Sequence, residues 1–242
     1  YITQMKLELM IPTKVSEIPL KHYQDFQKVA QGSNDDEFIA QKMIEIFCGI
    51  ELKEVVKIKL TDVNSMVDHF AKLFQEKHEL KTTFKIKDIE FGFIPNLEEI
   101  SFGEYIDLEN HLQDVQNFHK AMAVMYRPIT RKVKDKYEIE EYNGTATWAE
   151  LMRFTPLDVA LGAMLFFYHL GSELLTALAH YLEKEVQILT NTPSKDSSVN
   201  NGDGIIASMH SLRGILPDLI QLPENDLLNV LRSSRLKSKR TK

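Results

Sequence analysis

The chain has 242 residues, 43% hydrophobic and 26% charged, with a formal net charge of -6. That length buries a sizeable core, the composition is that of an ordinary globular protein, and so mild a charge points neither toward nor away from nucleic acid. A single cysteine, Cys48, excludes an intramolecular disulfide and a cysteine-built metal cluster; following Met43-Ile44-Glu45-Ile46-Phe47, it reads as a small buried hydrophobe.

The opening Tyr1 sets the expectation that the natural chain begins earlier. Residues 5–11 alternate apolar and charged side chains and predict a half-buried strand ended by Pro12. Leu20, Tyr23, Phe26 and Val29 then recur at three-residue steps, the inward stripe of a helix broken at Gly32. Asn34 or Asp35 caps a second helix with Phe38, Ile39, Met43, Ile46 and Phe47 inward, and Gly49 closes it. Residues 51–60 form a connector. Thr61-Asp62 is expected to cap a third amphipathic helix, which carries Val63, Met66, Val67, Phe70, Leu73 and Phe74 on one side.

Residues 82–87 and 89–95 predict a β-hairpin turning through Asp88. Ser101 with Glu104 three residues later is a capping-box pattern, so a helix carrying Tyr105, Ile106 and Leu108 starts there. Residues 115–125 predict another helix, left through Tyr126-Arg127-Pro128 because the residue before proline is pushed toward extended geometry. Lys132, Lys134, Lys136 and the alternation after them suggest a charged edge strand, and Asn143-Gly144 a turn. Thr147 with Glu150 repeats the capping-box pattern and predicts a short helix.

Thr155, Pro156 and Asp158 suit the start of a long helix. Its apolar residues from Val159 to Leu170 cover every face, as expected of a helix surrounded by other protein. The uncharged run between Asp158 and Glu173 falls short of the roughly 20 apolar residues that span a bilayer, so no membrane association is expected. The domain reading is a mainly helical core over residues 1–190, a flexible linker over 191–204 with one apolar residue in fourteen, a C-terminal helical segment over 205–231, and a basic tail over 232–242.

Signatures of chemistry are sparse. The ten glycines form no phosphate loop, and neither a Gly-x-Ser-x-Gly elbow nor a His-Glu-x-x-His helix occurs. Asp107, His111 and His119 are the best candidates for a metal-assisted enzyme, against a plain alternative of surface pairing. The tail residues Arg232, Arg235, Lys237, Lys239, Arg240 and Lys242 leave the rest of the chain at -12. They read first as a solvated, disordered terminus, and otherwise suit an acidic partner or, in a packaging factor, nucleic-acid phosphates, with no interleaved aromatics for base stacking.

Ile94-Pro95-Asn96-Leu97-Glu98-Glu99-Ile100, Gly103-Glu104-Tyr105-Ile106-Asp107-Leu108, Ala121-Met122-Ala123-Val124-Met125-Tyr126-Arg127-Pro128-Ile129, Pro156-Leu157-Asp158 and the opening Ile18-Pro19-Leu20-Lys21-His22-Tyr23-Gln24-Asp25-Phe26 resemble a poorly characterised family of tailed-bacteriophage proteins encoded among virion and tail-assembly genes. The resemblance covers roughly residues 5 to 185. It implies a structural or tail-assembly-chaperone-like role with no active site to carry over.

The combined expectation is a mainly α, α+β fold around a long central hydrophobic helix with a small antiparallel sheet. The expected function is non-enzymatic, without cofactor, metal or small-molecule substrate. Partners are expected to be other phage structural proteins or further copies of the chain, met in the virion or in the host cytoplasm during assembly. Phe91, Phe93, Tyr105, Tyr126 and Arg127 are the expected contact residues, because aromatics and arginine are favoured at interface centres.

Overall fold

The computed structural model describes residues 9–134 and 136–191. Among them, eight α-helices accompany one four-stranded antiparallel sheet, an α+β, mainly α architecture. They divide into two compact units, one running to Met164 and the other starting at Leu165. The predicted linker, C-terminal helical segment and basic tail lie outside the described residues.

Of the predicted first strand, residues 5–8 are likewise outside the described set, and Leu9 to Ile11 belong to no strand. The helical part begins as the stripe dictates. Leu20, Tyr23 and Phe26 of α1 (Leu20–Gln31) are buried, and Gly32 follows as its C-cap. Asp35 caps α2 (Asp36–Cys48) by accepting from the N–H groups of Glu37 and Phe38, and Gly49 ends it at φ 66°. α3 (Leu52–Val55) interrupts the connector. α4 (Leu60–Leu73) starts two residues earlier than predicted: Lys59 is its N-cap, and Thr61 and Asp62 fall inside the first turn without capping it. Rings knit these helices together, Phe47 lying 5.2 Å from Phe26 and 5.3 Å from Phe70.

The hairpin β1 (Thr83–Ile86) and β2 (Ile89–Phe93) pairs Ile86 with Ile89, and Lys87 turns it at φ 53°. β2 continues onto β3 (Tyr126–Val133), and β3 onto β4 (Lys136–Ile139), giving sheet order β1-β2-β3-β4 with the charged β4 at an edge. The Tyr137 ring of β4 lies across Gly92 of β2, where a Cβ would come within 2.5 Å of it, and its hydroxyl donates to the Phe93 carbonyl at 2.9 Å. That close approach is what requires glycine in this strand.

Two helices precede β3: α5 (Phe102–His111), capped as predicted by Ser101, and α6 (Phe118–Met125), shorter than the predicted 115–125. α7 (Ala149–Met152) is preceded by Trp148 at the N-cap, so the Thr147–Glu150 pattern does not form a capping box. Thr155, fully buried, gives its hydroxyl to the Met152 sulfur at 3.4 Å instead of capping the last helix.

α8 (Leu157–Asn191) starts where the chain's opening segment crosses it. The Leu157 N–H donates to the Ile18 carbonyl at 2.8 Å, the Leu20 N–H to the Thr155 carbonyl at 2.9 Å, and Pro19 bridges Pro156. Leu157, Val159, Ala160 and Ala163 are buried, and the Glu79 carbonyl packs on Gly162. The expectation that the apolar run from Val159 to Leu170 is covered on every face is met at its start, through Ala163, and not at its end, Leu170. In the second unit Leu170 is 43% and Tyr181 59% exposed. Among the described residues, no helix is long and apolar enough to cross a membrane.

Candidate interaction surface

α5 is held in place by its polar side chains rather than by a greasy inner stripe. Asn96 first accepts from the Glu98 N–H to form a 3-10 turn (Leu97–Glu99). Ser101 and Glu104 then cap each other reciprocally: the Glu104 N–H donates to Ser101 Oγ at 3.3 Å, and the Ser101 N–H to Glu104 Oε2 at 2.7 Å. The remaining carboxylate oxygen, Oε1, accepts from Arg127 Nη2 of β3 at 2.6 Å. Both side chains are more than nine-tenths buried. On the guanidinium's other side lies the Tyr142 ring, 5.6 Å away, whose hydroxyl donates to Asp107 one turn along α5. Burial, followed by that carboxylate, raises the Tyr142 hydroxyl's pKa above its ordinary value. Leu108 completes the inner face.

With Glu104 and Leu108 inside, the helical period turns Phe102, Tyr105, Ile106 and Glu109 outward together. They are exposed, Phe102 by 79%, Tyr105 by 51% and Ile106 by 36%. Roughly 300 Å² of mainly aromatic surface therefore faces solvent on one helix, the size of the largest apolar patch on an ordinary monomer, which is often functional. A helix on a globular surface ordinarily shows water its polar side; here a buried ion pair and a capping box occupy the inside instead.

The five expected contact residues do not form this surface. Phe91 is fully buried, stacked on Phe84 at 5.6 Å and met edge-on by Trp148. Phe93 and Tyr126 are buried against each other, with the Tyr126 hydroxyl donating to the Lys81 carbonyl at 2.8 Å. Arg127 is buried beneath α5. Four of the five are thus interior groups, and only Tyr105 lies on the α5 face. Phe102 and Ile106 are not among the expected contacts, although Tyr105 and Ile106 follow Phe102 by three and four residues, which is the available signal. An apolar stripe of that spacing ordinarily reads as a core-facing one.

Of the alternative enzyme residues, Asp107 and His111 lie one turn apart on α5, and His119 belongs to α6. Asp107 is engaged by Tyr142, while His119 sits on α6 with its Nδ1 3.1 Å from Gln24 Nε2 of α1. Burial depresses the His119 pKa, which favours a neutral imidazole in a structural knot. Among the described residues no three metal-ligating side chains converge. Arg232, Arg235, Lys237, Lys239 and Arg240, proposed for nucleic acid or an acidic partner, lie outside the described residues.

No family model, curated protein or solved structure matches this chain. A second apolar feature, a groove of about 270 Å³ lined by Val55, Val56, Ile58, Leu60 and Val63, has Glu37 and Gln41 at its side. It lacks the aromatic anchors that concentrate binding energy, whereas the α5 face has two.

Proposed function

We propose that this chain is a non-enzymatic bacteriophage structural or tail-assembly protein, chaperone-like in that it covers surfaces of other virion proteins. It acts through the outer face of α5, in the virion or in the host cytoplasm during assembly. The observation that carries the contact role is the joint exposure of Phe102, Tyr105 and Ile106 on a helix fixed from beneath by the Glu104–Arg127 pair. A rigid aromatic platform loses little conformational entropy on docking, which is what an interface centre needs. The phage setting is supported by the resemblance of segments 18–26, 94–100, 103–108, 121–129 and 156–158 to that family.

The test is a double substitution on the outer face, Phe102→Ser with Ile106→Ser, in the full chain expressed during phage infection. The melting temperature is expected to fall by no more than about 8 °C, because Phe102 is 79% exposed and Ile106, 36% exposed, gives up only roughly 1–2 kcal/mol of burial. Identified virion proteins that co-purify with the parent are expected to be depleted tenfold or more. Undiminished recovery of the same proteins would remove α5 as the contact surface.

A further inference from the structure

We infer that the α5 face is a receiving site for the basic C-terminal segment of this same chain, Leu227–Lys242. The inference rests on the reading of α5 as a contact surface and names its occupant.

The first reason is charge. Between Lys87 and Lys120 the chain has eight carboxylates and no lysine or arginine. Glu90 is neutralised by Lys132, and Glu104 by Arg127. Glu98, Glu99 and Glu109 are exposed and belong to none of the ion pairs among the described residues. They bracket the apolar face: Glu98 and Glu99 precede the Ser101 cap, and Glu109 follows Tyr105 and Ile106 by one turn. A ligand for this surface therefore needs apolar side chains with cations at its flanks and no carboxylates.

The second reason is that the chain itself carries a segment of that composition. Residues 227–242 begin with Leu227, Leu228, Val230 and Leu231, continue with six lysines and arginines, and contain no aspartate or glutamate. The apolar part matches Phe102, Tyr105 and Ile106, and the cations match the three carboxylates. The third reason is reach. Of the 35 residues between α8 and Leu227, the 13 in the predicted linker span at most about 45 Å at ~3.3–3.6 Å per residue, and the 22 in the predicted helical segment about 33 Å at ~1.5 Å per residue, together more than the width of a domain. Filled from a second copy, the contact is head-to-tail and links chains into a ring or an open array.

The experiment uses the full chain, mixed one to one with a copy grown on heavy nitrogen and treated with a zero-length carbodiimide that joins amines to neighbouring carboxylates. Lys237, Lys239 and Lys242 are expected to cross-link to Glu98, Glu99 or Glu109 at least fivefold more than to other exposed carboxylates. The yield is expected to fall severalfold at 0.5 M salt and in the Phe102→Ser/Ile106→Ser variant, and mixed-isotope products identify a second copy as the donor. Tail cross-links scattered without preference, or unchanged by the double substitution, overturn the proposal. So does a tail that cross-links nowhere on the chain while its deletion abolishes duplex-DNA binding. If the tail fails to map to α5 yet the double substitution still depletes virion proteins, the occupant is wrong and the contact surface stands. If neither effect occurs, both are wrong.

Discussion

Replacing Arg127 with methionine isolates the interaction on which α5 depends. Methionine roughly keeps the length of the aliphatic stem and removes the guanidinium, so Glu104 Oε1 loses its 2.6 Å partner while its side chain stays 7% exposed. The second carboxylate oxygen keeps only the Ser101 N–H. A carboxylate stranded in this way costs about 3–5 kcal/mol. The cation over the Tyr142 ring, 5.6 Å away and largely desolvated, adds about 1–2 kcal/mol to the loss. For a chain of this size the melting temperature is expected to fall by about 8–28 °C. Removing the partner charge as well, in Glu104→Gln/Arg127→Met, leaves an amide whose oxygen still accepts from Ser101 and is expected to return the chain to within about 1–2 kcal/mol of the parent. Urea unfolding followed by the lone tryptophan, Trp148, which sits edge-on to Phe91, reports both variants. A double variant no more stable than Arg127→Met would refute the reasoning, because the loss would then come from packing rather than from an isolated buried charge.

Two further outcomes follow from the same core. Gly162→Ala, a change that ordinarily gains up to ~1 kcal/mol inside a helix, is expected to lose about 1–3 kcal/mol, because the new Cβ meets the Glu79 carbonyl oxygen at 2.2 Å and only backbone movement relieves it; calorimetric melting gives the sign. The Cys48 thiol, pushed up to about 11 by burial, is expected to alkylate far more slowly at pH 8 in the folded chain than in urea, with the folded rate climbing toward pH 11. Cys48 is half-buried rather than a fully buried small hydrophobe. The linkage has a definite sign. The unfolded thiol ionises near its ordinary value of ~8.5, so the contribution of the half-buried thiol is present below that pH and is lost as pH rises toward 11. Equal alkylation rates in the two states at pH 8 would count against the burial.

Local rules were legible wherever a single helix end or stripe decided the matter. Asp35 and Gly49 delimit α2, and the Leu20-Tyr23-Phe26 stripe is buried, because caps and helical periodicity are properties of neighbouring residues. The same Ser/Thr-x-x-Glu pattern shows where that stops. At Ser101 it forms both reciprocal bonds; at Thr147 it forms neither, and Trp148 occupies the N-cap of a helix only four residues long. What separates them lies elsewhere in the chain, for Glu104 is also held by Arg127 and so fixed in the orientation that reaches back to Ser101. The long helix makes the same point. An apolar residue on every face requires neighbours on every side, yet the residues available as neighbours are set by tertiary packing, and those at the Pro156 end are buried while Leu170 and Tyr181 face outward.

The inverted helix follows from that dependence on distant partners. Sequence periodicity identifies two faces of α5, an apolar one at Phe102, Tyr105 and Ile106 and a mixed one at Glu104, Asp107 and Leu108, and hydrophobic burial alone sends the first inward. Arg127 reverses the choice. Its position is fixed by the β2–β3 pairing opposite Gly92, and the residue before Pro128 is already driven into extended geometry. Once a guanidinium is buried there, leaving it unpaired costs more than exposing three apolar side chains, and Glu104 is the carboxylate that answers it at 2.6 Å. Exposure of the aromatics is thus a consequence of how β3 is made. The face can be lost to function by mutations at Phe102 or Ile106 that leave the fold intact, whereas mutations at Arg127 damage the fold and the face together.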